Sequence, residues 1–168
     1  APTFTEYATA IYESLSKYGL VNLAIIVEPG NALTASAFTY YSRVIDTKVL
    51  PDLKIVTTDG SRNDIDPFFN RKRYLSEIIR KDDNREIGNR QRIAGATCLE
   101  YDQLFELENE KELRVGDMIR YNNVGAYTLT LTPMFINYFP RVYALGSDGL
   151  IVVRDKWTAK EMVQKSKI

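Results

Sequence analysis

Cys98 is the only cysteine of the 168-residue sequence, set in "GATCLEYDQLF" (residues 95–105) beside Glu100 and Asp102. A thiol there has three uses: a small buried hydrophobe, a metal ligand, or a proton-transferring or nucleophilic group. The sequence contains no histidine, which removes Ser–His–Asp and Cys–His catalysis, His-ligated zinc and the commonest base at neutral pH. With no second thiol or imidazole to complete a metal site, none is expected. Packing and acid–base chemistry remain open for Cys98. Any chemistry must come largely from a cofactor or from another polypeptide.

Three further stretches carry reactive or ligand-binding types. In "VEPGNAL" Glu28 ends an apolar run, and Pro29-Gly30 makes a tight turn whose backbone amides can approach an anion. An ordinary strand-to-loop turn with a solvated Glu reads the same way. "TTDGSRND" places Asp59 in a turn with an Asx cap. "NNVGAYTLTLT" leads through Gly125 and Ala126 to Tyr127, whose phenol suits either a phosphate contact or a core position.

These residues must be positioned by two kinds of structure. "TFTEYATAIYESLSKYGL" has a cap at Thr3 or Thr5, apolar residues at helical spacing and a stop at Gly19, and predicts a helix. "VNLAIIVEPG" follows as a continuous apolar run, the pattern of a parallel strand covered on both faces. At the end of a barrel strand, Glu28 would stand on the face where barrel enzymes build their sites. From Ala32 onward the sequence changes character. "ALTASAFTYYSRVIDTKVL", "LKIVTTDG", "NREIGNRQRIAGATC", "DMIRYNN", "GAYTLTLT", "RVYALG" and "GLIVVRD" are short β-branched and aromatic runs parted by Gly, Asn, Asp or Pro, and predict an antiparallel barrel or sandwich. "LRVGDMI" holds a Gly-Asp turn, "RKDDNRE" is the expected mobile loop, and "DKWTAKEMVQKS" predicts a last helix docked by Trp157 and Met162. The expected division is a terminal helix-strand unit over residues 1–31, a mainly β domain over 32–154 and a helix over 155–168.

Lys plus Arg balances Asp plus Glu at 22 each, so there is no electrostatic footprint for nucleic acid. No apolar run reaches the length of a membrane span, and no signal peptide is expected at Ala1. A single cysteine favours a reducing, cytoplasmic setting.

Taken in order, "EPGNAL", "DGSRND", "GATCLEYD", "VGDMI", "GAYTLTLTPMF" and "VVRDKWTAKEMV" resemble the C-terminal half of the pyridoxal-phosphate decarboxylases of ornithine, diaminopimelate and arginine, which have an alanine-racemase-like fold. The resemblance implies a β-domain preceded by the last helix-strand unit of a TIM barrel, the full protein being an α/β barrel plus the β-domain. It implies pyridoxal 5'-phosphate as cofactor, with Glu28 paired to the ring nitrogen and Gly30 and Tyr127 at the cofactor. Cys98 matches the cysteine that crosses a dimer interface and protonates the carbanion left by CO2, a task that suits a thiol because its pKa lies nearer neutrality than a hydroxyl's. Asp59, Asp102 and Phe135 match substrate-side positions.

Departures from the family pattern bear on the substrate. Asn31 replaces an Arg, Leu99 replaces the acidic residue that follows the cysteine, and Asp66 stands about where diaminopimelate enzymes carry the Arg that grips a distal carboxylate. A diamino acid or a conjugated one, of siderophore or polyamine type, is the expected substrate. The family's Schiff-base lysine, ring-stacking histidine and glycine-rich phosphate loop match nothing here, so an N-terminal barrel half, as a separate chain or cleaved fragment, is the expected partner within a homodimer. An inactive homologue that binds a protein partner and a free-standing ligand-binding barrel are the other readings.

Overall fold

The computed structural model describes residues 2–166. Helix α1 spans Phe4–Lys17 and begins in a capping box: the Thr3 side chain accepts from the Glu6 amide, and Glu6 accepts from the Thr3 amide. It stops where the Leu20 and Gly19 amides bond back to Leu15 and Ser16, with Gly19 at φ 69°. No residue of α1 is buried. Its apolar stripe of Phe4, Tyr7, Ile11 and Leu15 instead faces Val21, Ile25 and Val27 across a groove of about 480 Å³.

Residues 21–29, expected as a strand, form no ladder. A strand exists only through hydrogen bonds to neighbours, and this one has none among the described residues. The chain passes through α2 (Asn31–Thr34) and a short 3-10 turn (Ala35–Ala37) into the β region.

Among the described residues eight strands follow: β1 Tyr40–Leu50, β2 Leu53–Thr58, β3 Leu75–Ile79, β4 Ile87–Ala94, β5 Gln103–Lys111, β6 Met118–Asn122, β7 Val142–Gly146 and β8 Gly149–Arg154. The first six make one sheet in the order β3-β6-β1-β2-β4-β5. All its pairings are antiparallel except β2 with β4, where Lys54 faces Gln91 and Thr57 faces Ala94. Strands β7 and β8 pair only with each other. The mainly β class expected from the sequence is therefore what the chain adopts.

Alternation buries one face of each strand. Val44, Val56, Ile93 and Ile119 are fully buried, together with Ile65 from helix α3 (Arg62–Ile65) and Leu113. Each contributes about 1.5–3 kcal/mol by leaving water. Tyr121 stands at the centre, ringed by Tyr40, Tyr74 and Phe105 at centroid distances of 6.1, 5.9 and 6.1 Å.

The 80–86 segment is a loop, as the sequence predicts, but one residue clamps it. The Arg85 side chain is 1% exposed and grips the fully buried Asp117 through its two terminal guanidinium nitrogens, while Nη1 also donates to the Glu112 carbonyl at 3.0 Å. Burial pushes Asp117 up, but the bonds from Arg85 and from the Arg114 and Lys81 amides outweigh it and hold the carboxyl below the ordinary range. "GAYTLTLT", expected as a strand, is a left-handed Tyr127 (φ 66°) followed by helix α4 (Thr128–Leu131). Its Thr/Leu alternation pairs with no strand among the described residues, and the Thr132 amide bonds to the Thr128 carbonyl four residues back.

Of the last helix expected over 155–168, residues 167–168 lie outside the described residues; within them the helix is α5 at Ala159–Val163, capped by Thr158 and Glu161. Trp157 docks on Phe139 edge-on at 4.9 Å, whereas Met162 stays half exposed.

Candidate functional site

Two motif loops far apart in sequence meet at Gly30 and Tyr127. The Val124 and Gly125 amides bond to the carbonyls of Phe38 and Ala35, which ties the Tyr127 loop to the chain just after α2. Tyr127 is half exposed and stacks edge-on against Phe68 at 5.4 Å. Gly30 has φ 49° and ψ −116°, a conformation open to glycine and strained for other residues. A methyl group there would lie 3.2 Å from the Tyr127 hydroxyl. Among the described residues, neither the Gly30 amide nor that hydroxyl has a hydrogen-bond partner. The two loops thus form a cradle that brings two unpartnered donors close together. Glu28 lies two residues away, exposed, at the mouth of the α1 groove.

Asp59 follows β2 and is exposed. Its Oδ1 accepts from the Arg43 amide at 2.7 Å, and its own amide donates to the Arg43 carbonyl. The other oxygen has no hydrogen-bond partner among the described residues. The cap of the next helix is Ser61 rather than an Asx residue: Ser61 accepts from the Asn63 amide, and Asp64 accepts from the Ser61 amide. The Ser-x-x-Asp spacing of "SRND" is a capping-box signal that marks this turn in the sequence. Burial pushes Asp64 above the ordinary carboxylate range, a rise that bonds from the Tyr40 hydroxyl and the Ser61 amide only partly offset.

Cys98 is exposed, which disfavours the packing role. It sits on the loop after β4. The structure does not give Asp102 the substrate-facing place expected from the family. Its carboxylate is 2% exposed and accepts from Ser61 Oγ, the Arg62 amide, the Thr97 amide and Thr97 Oγ1. A carboxylate used in this way presents no free oxygen to a ligand. Gly95 is required beneath it, because a Cβ at that position would collide with the Asp102 carboxyl. Gly95→Ala is accordingly expected to destabilise the chain by about 1–3 kcal/mol, measured as a lower urea midpoint at unchanged slope.

Phe135 is 40% exposed, and no hydrogen bond or ring contact joins it to the other candidates. Asp66 is turned inward. It accepts from Arg62, from the Asn70 and Arg71 amides and from the Tyr74 hydroxyl. Sequence reading placed Asp66 by its departure from a relative and missed this bonding, because Arg62, Arg71 and Tyr74 converge on it only through the fold.

Comparison with known proteins shows the family to which this fold belongs. The profile of the family described as "Pyridoxal-dependent decarboxylase, C-terminal sheet domain" matches residues 10–125. The diaminopimelate decarboxylase of Methanocaldococcus jannaschii is 27% identical over 98% of this chain and 38% of its own length. The ornithine decarboxylase of Cricetulus griseus is 24% identical over 96% of this chain and 38% of its own. The crystal structure of the M. jannaschii enzyme in co-complex with L-lysine superposes with a TM-score of 0.78 at 26% identity, covering 99% of this chain and 39% of that one. The chain thus spans about two fifths of the length of the relatives it matches. With more than half of its residues inside that profile, this chain belongs to the pyridoxal-dependent decarboxylase family and carries its C-terminal sheet domain.

Proposed function

We propose that this chain is the C-terminal part of a pyridoxal-phosphate-dependent decarboxylase of a diamino acid, or of a conjugated diamino acid of siderophore or polyamine type. A TIM-barrel half completes it, and the active site is shared across a homodimer in a cytoplasmic enzyme. The observation that carries this reading is the convergence of Gly30 and Tyr127, two unpartnered donors from separate motif loops, with the Glu28 carboxylate close by in sequence.

The residues present suit the cofactor. The Gly30 amide and the Tyr127 hydroxyl would hold its phosphate, and Glu28 would pair with its ring nitrogen. When bound, the cofactor supplies an electron sink for the pair left behind as CO2 departs. Asn31 offers hydrogen bonds without charge where relatives place a cation. Cys98 would deliver the proton to the substrate α-carbon from an exposed loop. Asp59, with one oxygen free, would bind a distal amine. The inward-turned Asp66 leaves that position without the cation a distal carboxylate needs, which favours an amine-ended substrate. The apolar groove between α1 and residues 21–29 is the face the barrel half would cover. Among the described residues no helix is long and apolar enough to cross a membrane.

The test is to recover the tagged chain from its source cell. Mass spectrometry would identify barrel sequence on the same or a companion polypeptide, and CO2 release would be assayed with ornithine, diaminopimelate and N-conjugated diamino acids. Cofactor-dependent CO2 release that is fastest with an amine-ended substrate is expected. Recovery of the chain with a protein partner but no CO2 release would instead favour an inactive, partner-binding homologue. Recovery of the chain alone, folded and without cofactor, would overturn both readings.

A further inference from the structure

Strands β2 and β4 are parallel neighbours, so the loops that follow them leave the same end of the sheet. The first loop carries Asp59 and then Ser61 and Arg62 at the start of α3; the second carries Gly95, Thr97 and Cys98. One buried side chain is shared between them. Asp102 Oδ1 accepts from the Arg62 amide at 2.7 Å. Asp102 Oδ2 accepts from Ser61 Oγ at 3.0 Å and from the Thr97 amide and hydroxyl at 3.1 and 2.5 Å. The backbone completes the tie: the Ala96 amide donates to the Gly60 carbonyl, the Gly95 amide to the Asp102 carbonyl, and the Asp102 amide to the Leu99 carbonyl.

We infer that Asp102 is a positioning residue, whose carboxylate locks the Cys98 loop to the Asp59 loop and holds the Cys98 backbone fixed while its thiol stays exposed. Cys98 lies between Thr97, which donates twice to that carboxylate, and Leu99, which accepts from the Asp102 amide. Both chain directions out of Cys98 therefore end on the same residue. The hold extends further through α3. Thr132 Oγ1, just past α4, donates to the Asn63 carbonyl at 3.1 Å, and Phe68 meets the Tyr127 ring. The thiol, the free Asp59 oxygen and the Tyr127 hydroxyl are thus referred to one buried anchor.

A carboxylate is required there by donor count. All the groups that face it are donors, two of them backbone amides that lack another acceptor. An asparagine has the same shape but must turn its NH2 toward either Arg62 N–H or Thr97 N–H, leaving that amide unbonded. Asp102→Asn therefore removes the lock without opening a cavity.

The test has two arms; only the kinetic arm rests on the decarboxylase reading. In the 168-residue chain, hydrogen exchange is followed peptide by peptide for wild type and Asp102→Asn. Residues 60–62 and 95–99 are expected to exchange together at least about tenfold faster, one charge-assisted hydrogen bond being worth that much. The β6 amides (Met118–Asn122) should stay within about twofold. Loosening of one loop alone, of neither, or of the whole sheet would overturn the inference. If Asp102→Asn does not fold, Thr97→Val removes one donor from the same anchor and is read in the same way. In the assembled enzyme, Asp102→Asn should lower kcat at least about tenfold with KM unchanged. A raised KM with kcat intact would mean that Asp102 grips substrate, and would sink the positioning role. If wild type itself releases no CO2 while the two loops still loosen together, the decarboxylase reading fails and the lock stands.

Discussion

Asp117→Ala is expected to lower the unfolding free energy by about 3–5 kcal/mol, the usual cost of leaving one partner of a buried ion pair alone. Arg85 would keep its charge at 1% side-chain exposure with only the rim carboxylate of Asp82 and the Glu112 carbonyl for company. The Arg114 and Lys81 amides would lose the acceptor that ties the β5–β6 turn to the end of β3. Urea unfolding of the isolated chain measures the loss. A change under about 1 kcal/mol would place the pair among those that contribute little.

The same pair sets a pH dependence. Asp117 titrates below its ordinary value in the folded chain, so its contribution is complete above the unfolded value of about 3.9. As pH falls below that value the unfolded chain takes up the proton first. Stability then declines until pH has passed through the depressed folded value. Asp117→Asn should remove this part of the acid-side slope, seen in urea midpoints collected from neutral pH downward. An unchanged slope would assign acid sensitivity to other carboxylates.

Cys98→Ala in the assembled enzyme is expected to reduce kcat by about 10²- to 10⁴-fold, the range for loss of a positioned general acid. KM should hold, because in the proposed role the thiol would act on the α-carbon only after binding. Stability should move by less than about 0.5 kcal/mol, since the side chain is exposed. Cys98→Ser should recover little of the rate, because a hydroxyl gives up its proton far less readily than a thiol at neutral pH. A variant with full kcat would return Cys98 to an ordinary surface position and shift proton delivery to another group.

Strands β1, β2, β4, β6, β7 and β8 were readable because β-branched runs alternate between punctuating Gly, Asn and Asp residues, a pattern that follows from local sterics and one-sided burial; β3 and β5, where Glu77 and then Glu106, Glu108 and Glu110 break up the apolar runs, were missed. Thr3 and Gly19 marked the ends of α1 for equally local reasons. The two strands expected and not formed have one cause. Residues 21–29 are apolar enough for a strand, yet pairing decides strand formation, and pairing is not a property of the segment. The Thr/Leu alternation after Tyr127 misled in the same way. Within the candidate site, motif order proposed Glu28, Gly30, Asp59, Cys98 and Tyr127, but spacing says nothing about the direction a carboxylate faces. Asp59 and Asp102 look alike in sequence; one is exposed and the other is sealed under four donors. Arg85 and Asp117 were silent for the same reason, since their meeting depends on β6 being in place.

The register of β6 also has a consequence in time. β1 with β2 and β4 with β5 join neighbours in the chain, contacts that form early because little loop entropy is lost in closing them. β6 is different: Tyr121 pairs with Tyr40 across most of the domain, and Asn122 with Leu75. Inserting it between β1 and β3 is the long-range step and the slow one. The Tyr127 loop follows directly behind, so the cradle at Gly30 closes only when this strand has docked. Refolding watched by β-sheet signal should therefore run ahead of refolding watched at Tyr127, and a chain released before β6 seats would hold most of its strands without the Gly30–Tyr127 part of its site.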